Sequence, residues 1–214
     1  PMFEIGENVS ILKKDEIIKQ YSKIKKSGAL YGVWNALYKR SFLNEHNLRF
    51  NEEIRYGGED LLINLEVLEK AQIYVFHKGV YYRYERRYGN STSTKFHINR
   101  LKTLVMIAKK EKDILKTLVD YPILWLYNQI DYSIAIIQIF SHKDCPWNLR
   151  KKIQYLKYFV NRTIFKNPDY RKYIWRVFKM NPILGIMGGL FYGQHFMMCF
   201  LVVNGYEVFE RLRR

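Results

Sequence analysis

Two adjacent carboxylates, Glu59 and Asp60, follow the glycine pair Gly57-Gly58 and open a segment with apolar residues at helical spacing. A carboxylate where a glycine-rich loop becomes a helix can take a proton from a hydroxyl group as a general base. Gly57 and Gly58 would permit close backbone approach and unusual dihedrals. Glu59 could hold Asp60 or bind an acceptor hydroxyl. A plainer reading competes with this one. Acidic residues in a first helical turn are favoured by the partial positive charge there, and most such pairs only cap the helix.

Cations and aromatics stand in the same half of the chain. Lys39 and Arg40 come shortly after Trp34 and Asn35, and Arg83, Arg86 and Arg87 lie among Tyr81, Tyr82 and Tyr84. Arginine offers a bidentate fork to a diphosphate, although a solvated loop edge explains these three equally well. Core packing is the expected role of Leu37, Tyr38 and Phe50, and some of the alternating tyrosines must also face inward. The five histidines and two cysteines show no metal-ligand spacing. His195 and Cys199, four residues apart, would share a helix face, but two ligands do not make a site. No P-loop, dinucleotide fingerprint or nucleophile elbow is present.

The elements that would position these residues follow from periodicity. Lys13 to Lys26 is expected to be helical, with Asp15 and Glu16 in its first turn and Gly28 as its stop. An extended piece is expected at 31–34 and a brief helix from a Ser41 cap to His46. Leu61, Leu62, Leu65, Leu68 and Ala71 make 59–70 a helix. The β-branched and aromatic runs 73–77 and 80–84 read as strands around Lys78-Gly79. Ser93 or Thr94 would cap a long helix reaching Lys116. Helix after helix follows, with Pro146, Pro168 and Pro182 at helix starts. The composition changes near residue 95, which suggests a mixed part, 1–95, and an all-helical part, 96–214.

The motifs occur in a particular order: Trp34-Asn35-Ala36-Leu37-Tyr38-Lys39-Arg40, Leu48-Arg49-Phe50, Glu59-Asp60, Tyr81-Tyr82-Arg83-Tyr84, then Ser91-Thr92-Ser93. This combination resembles the acceptor-side half of a family 2 glycosyltransferase of the GT-A fold, over about residues 10 to 100. The resemblance implies an α+β fold: the C-terminal part of a GT-A domain, then an all-helical, membrane-associated region. It implies that Asp60 is the base of an inverting transfer and Glu59 its acidic partner. It also places Trp34 and Asn35 near the donor sugar or acceptor and Lys39 and Arg40 near the same cleft; Gly57, Gly58, Arg83, Arg86 and Arg87 complete the candidate substrate-binding residues on their own chemistry. The family's Asp-x-Asp metal motif and its nucleotide-binding strand–helix repeat do not occur in this chain. The resemblance therefore implies a longer enzyme, whose other half binds a UDP-type sugar donor and supplies the ligands for Mg²⁺ or Mn²⁺. The acceptor would be a glycan or a lipid-linked glycan in surface polysaccharide synthesis.

The net charge is +16 over 214 residues. Eleven lysines and arginines fall between Ser141 and Met180 against Asp144 and Asp169. Such an excess suits nucleic acid, an anionic membrane or a phosphorylated substrate. No nucleic-acid recognition motif is present, and the apolar run Pro182 to Val203 argues against that partner. About 20 apolar residues can cross a bilayer, so this run permits a span, a surface anchor or a buried helical hairpin. Gly189-x-x-x-Gly193 resembles a transmembrane packing motif, whereas Gln194-His195 interrupts the run. Arg171, Lys172 and Arg176 among Tyr173 and Trp175 suit an interfacial helix. The expected location is the cytoplasm, peripherally attached to the inner face of the cell membrane. A second reading, from a different class, is a non-catalytic membrane-associated helical binding module.

Overall fold

The computed structural model describes residues 9–54, 57–79, 81–83, 96–117 and 120–213. The described residues are α+β, with one two-stranded antiparallel sheet and nine α-helices. They fall into two compact units, one built from residues up to 95 together with 99–118, the other from 96–98 together with 119–214. The composition shift near residue 95 does not coincide with this division. Helix α4 (Arg100–Leu115) belongs to the first unit, where it packs on α3 (Glu59–Lys70).

In the first unit, β1 (Val9–Lys13) pairs with β2 (Ile73–His77), with Ile11 opposite Val75. The pleat turns Leu12 and Tyr74 inward and leaves Ile11 and Val75 outward. Strand β1 carries no turn or alternation signal strong enough to mark it before its partner is known. Helix α1 (Lys14–Lys26) starts where Glu16 accepts the Lys13 N–H at 2.8 Å. It ends at Gly28 with φ +83°, a left-handed residue that glycine adopts freely. Ile17, Tyr21 and Ile24 are its buried stripe.

Helix α2 (Arg40–Glu45) begins one residue before Ser41, and its N-cap Lys39 makes no side-chain cap, so Ser41 is not the cap. Its end is a Schellman turn: Asn47 sits at φ +48°, and the Leu48 and Asn47 N–H groups bond the Leu43 and Asn44 carbonyls. That turn drives Leu48 into a cluster with Ile63 and Val67, against which Tyr38, Phe42, Leu43 and Tyr74 pack.

Several expectations are corrected here. Residues 27–35 are turns and bends rather than an extended piece, and 81–83 are irregular rather than a strand. Leu37 is fully solvent-exposed, and Phe50, Tyr81 and Tyr82 are exposed as well, so none of the four is core. Irregular backbone on both sides of residue 37 explains this, because no element presses its side chain inward. Val80 and Tyr84, and the proposed caps Ser93 and Thr94, lie outside the described residues. The helix expected after those caps starts at Arg100.

The second unit is built around α5 (Tyr121–Ser141), which buries Leu126, Ile130, Ile136, Ile137 and Phe140. Against it pack α6 (Leu149–Val160), α7 (Ile174–Met180), α8 (Pro182–Tyr192) and α9 (Phe196–Arg213). Asn148 caps α6 by accepting the Lys151 N–H, and Asn181 caps α8 by accepting the Leu184 N–H with Pro182 in the first turn. Pro168 opens a short 3-10 helix, Pro168–Tyr173, whereas Pro146 precedes the α6 cap by two residues.

The apolar run from Pro182 to Val203 is two helices. The His195 and Gln194 N–H groups bond the Leu190 and Phe191 carbonyls, with Gln194 at φ +57°. That is a second Schellman turn, and it reverses the chain where a spanning helix would have to continue. Among the described residues no helix is long and apolar enough to cross a membrane, which corrects the span reading. The Gly189/Gly193 motif is corrected too. A Cβ at Gly189 would meet nothing within 4 Å, and Gly193 is the C-cap of α8. The glycines packed against other helices are Gly185, where a Cβ would lie 2.4 Å from Phe178, and Gly188, 2.8 Å from Ile130, whereas a Cβ at Gly193 would meet only the nearby His195 ring at 2.6 Å and its own turn.

Candidate functional site

Glu59 and Asp60 form the first turn of α3, entered through Gly57 and Gly58 at φ +104° and +94°. Both glycines are required. An L residue at either position would be strained, and a Cβ at Gly58 would sit 2.6 Å from Thr103 Cγ2 on α4. The glycine pair thus lets α4 press against the entry to α3.

Four groups surround the acidic pair. The Val33 backbone N–H donates to the Asp60 carboxylate. The Tyr38 hydroxyl donates to Asn64 Oδ1, and Asn64 Nδ2 donates to the Leu30 carbonyl at 2.9 Å and the Gly32 carbonyl at 3.4 Å. Asn64 lies one turn beyond Asp60 and is buried. It therefore ties the 30–38 segment across the start of α3 and fixes the loop that supplies the Val33 donor. Arg100 approaches from α4, with its guanidinium 3.9 Å from where a Gly57 Cβ would lie, and it feels the Glu59 charge.

The electrostatics single out Asp60. Burial first, and then the negative Glu59, raise its carboxyl above the ordinary value, while the Val33 hydrogen bond pulls it partly back. Burial, followed by the charge of Asp60, raises the Tyr38 hydroxyl, which stays protonated. Burial lowers Arg100 and the Glu59 charge opposes that shift. Glu59 Oε2 is buried with no hydrogen-bond partner among the described residues. A buried acceptor in that state gains from a donor brought by a ligand.

Trp34 is half exposed, folds back over Gly32 and lies 4.9 Å from Tyr82 between ring centroids. The structure thus brings together Gly57, Gly58, Glu59 and Asp60, places Val33, next to Trp34, on Asp60, and joins the 81–83 segment to Trp34. Asn35, Lys39, Arg40 and Arg83 are exposed, and no described contact draws them to the acidic pair. Arg86 and Arg87 lie outside the described residues. Asn64 and Arg100 were missed by sequence reasoning. The signal for Asn64 was present: it is the one amide among the apolar positions of α3, at i+4 from Asp60.

Among the described residues no group of three His, Cys, Asp or Glu side chains could hold a metal ion. Glu59 and Asp60 lack a third ligand, and Arg100 lies beside them. The residues in hand do not fit a Mg²⁺ or Mn²⁺ centre. His195 is exposed while Cys199 is buried, with its thiol pushed up to about 12 by burial, so those two share no site. No family model, curated protein or solved structure matches this chain.

Proposed function

We propose that this chain is the acceptor side of an inverting, nucleotide-sugar-dependent glycosyltransferase with a GT-A-type fold, and that Asp60 is its base. The observation that supports this most is a half-buried carboxylate, raised by its surroundings and held by one backbone donor, beside the orphan oxygen of Glu59. An acceptor hydroxyl placed there would donate to Asp60. As its oxygen attacks the anomeric carbon, Asp60 accepts the proton, and the bond to the nucleoside diphosphate breaks with its electron pair leaving on the diphosphate. A raised carboxyl is the better proton acceptor, because basicity follows the pKa. Glu59 Oε2 would accept a second hydroxyl of the acceptor sugar and orient it. Trp34, half exposed at the same loop, offers an apolar ring face for a sugar. Mg²⁺ or Mn²⁺ and the UDP-type donor would be held by residues outside this chain, and no step here runs through them. The acceptor would be a glycan or lipid-linked glycan used in surface polysaccharide synthesis, met at the cytoplasmic membrane face.

Asp60→Asn tests this in the whole enzyme, with release of UDP from a panel of UDP-sugars as readout. Turnover should fall by about two to four orders of magnitude, the range for losing a positioned base, while acceptor binding persists. Unchanged turnover removes Asp60 from the mechanism. Absence of any donor use by the wild-type protein favours the non-catalytic binding module.

A further inference from the structure

No acidic residue occurs between Asp169 and Glu207. The four cations of that stretch, Arg171, Lys172, Arg176 and Lys179, are all exposed and all lie on the 3-10 helix and α7. Immediately beyond them α8 exposes an apolar stripe at helical spacing, with Ile183 37% and Ile186 50% exposed. Trp175, on α7, is 62% exposed. A surface groove of about 390 Å³ joins the two sets: Arg171, Lys172, Trp175, Phe178, Gly189 and Tyr192 line it. Gly189 continues the stripe begun by Ile183 and Ile186, so cations, aromatic rings and aliphatic side chains share one face of the second unit.

We infer that this face docks on an anionic lipid bilayer, with Trp175, Ile183 and Ile186 entering the headgroup–acyl boundary and the four cations meeting lipid phosphates. Charge complementarity selects the occupant. The four cations outnumber the two carboxylates near them, Asp169 on the same 3-10 helix and Asp120 in a groove shared with Arg176 and Lys179, and the apolar part is aliphatic as well as aromatic, which phosphate-bearing lipid matches in both respects. Lys179 sits over the Trp175 ring at 5.7 Å, and Trp175 stacks on Phe178 at 5.2 Å and 6°. Phe178 therefore covers one ring face, and the exposed aliphatic Ile183 and Ile186 offer nothing for a nucleobase to stack on. The basic stretch on α6 differs. Its Tyr155 packs on Phe140, Trp147 and Tyr158, and the exposed Tyr158 carries the Arg162 guanidinium over its ring at 4.0 Å. This docking does not depend on the sugar-transfer reading, since it uses no residue of the first unit.

The test is co-sedimentation of the full chain with phosphatidylcholine vesicles, with and without 30% phosphatidylglycerol (a proportion on the order that gives a physiological surface potential). Binding should require the anionic lipid and weaken with salt. Each of Arg171→Gln, Lys172→Gln and Arg176→Gln should weaken partitioning about five-fold, and Ile186→Asp should abolish insertion. Lipids brominated near the headgroup should quench wild-type tryptophan emission, and Trp175→Phe should remove the quenched fraction. All these positions are exposed, so folding is spared, and the quenching uses the unmutated protein. The inference is overturned by equal binding to neutral vesicles, by variants that bind like wild type, or by emission that stays unquenched on vesicles. It is also overturned if a single-stranded oligonucleotide captures the same face, or if the four cations prove buried in a dimer.

Discussion

Removal of the Glu111 carboxylate should unfold the first unit at a much lower temperature. Glu111 on α4 is fully buried, accepts a hydrogen bond from the Tyr21 hydroxyl of α1 and lies 2.7 Å from the Lys25 ammonium. Both partners are buried as well. Glu111→Ala strands an ammonium in the interior without its carboxylate, and such losses cost about 3–5 kcal/mol. At about 4 °C per kcal/mol for a unit near 100 residues, the melting midpoint should fall by roughly 12–20 °C. Replacing both charges, Lys25→Met with Glu111→Leu, should recover part of that loss, since no charge is left uncompensated while the buried Tyr21 hydroxyl still loses its acceptor at a cost of about 1–3 kcal/mol. Thermal melts of the wild type, Lys25→Met, Glu111→Leu and the double variant form a cycle whose coupling should be large and favourable. A Glu111→Ala midpoint within about 4 °C of wild type, or a double variant as damaged as the single, would refute the argument that this pair joins α1 to α4.

Two further outcomes follow from other parts of the chain. Gln194 holds the left-handed turn between α8 and α9 at φ +57°. Gln194→Gly should relieve about 1 kcal/mol of Cβ strain against about 0.5 kcal/mol of backbone entropy, raising the midpoint by roughly 2 °C; a lower midpoint contradicts it. The folded Asp60 carboxyl is raised above 3.8. Its stabilising contribution is therefore complete below pH 3.8 and is lost as pH rises through the folded value. Relative to Asp60→Asn, the wild type should lose stability across that window and then level off. Denaturant unfolding from pH 3 upward checks this, and a wild-type advantage that grows with pH would overturn it.

The regular elements were legible wherever the apolar period was long and its ends were punctuated. Glu59 to Lys70 has seven buried positions in twelve residues and matches the expected helix at both ends. The misses have two causes, a partner distant in sequence or a local turn without a glycine signature. Strand β1 is a strand because β2 pairs with it 60 residues later. Leu37 and Phe50 have core-type side chains, yet the irregular backbone that carries them leaves them outward. The break in the 182–203 run was visible as Gln194-His195. Its consequence was not, because a Schellman turn with glutamine in the left-handed position carries no glycine signature.

The candidate site divides along the same line. The carboxylates and glycines are consecutive, so their convergence required only that α3 begin at Glu59. What raises the Asp60 carboxyl is first its burial, and the segment that supplies its Val33 donor is tied down by Asn64 from within α3 itself. A carboxylate at a helix start would ordinarily be relaxed toward its charged form by the free N–H groups there. Here burial removes water and Glu59 adds like charge, so opposing effects meet at one carboxylate and burial wins. The arrangement works against stability at neutral pH, as the pH dependence above requires. A cap that served only the helix would have no reason to carry that cost, since Asn at the same place would accept the Val33 N–H without it.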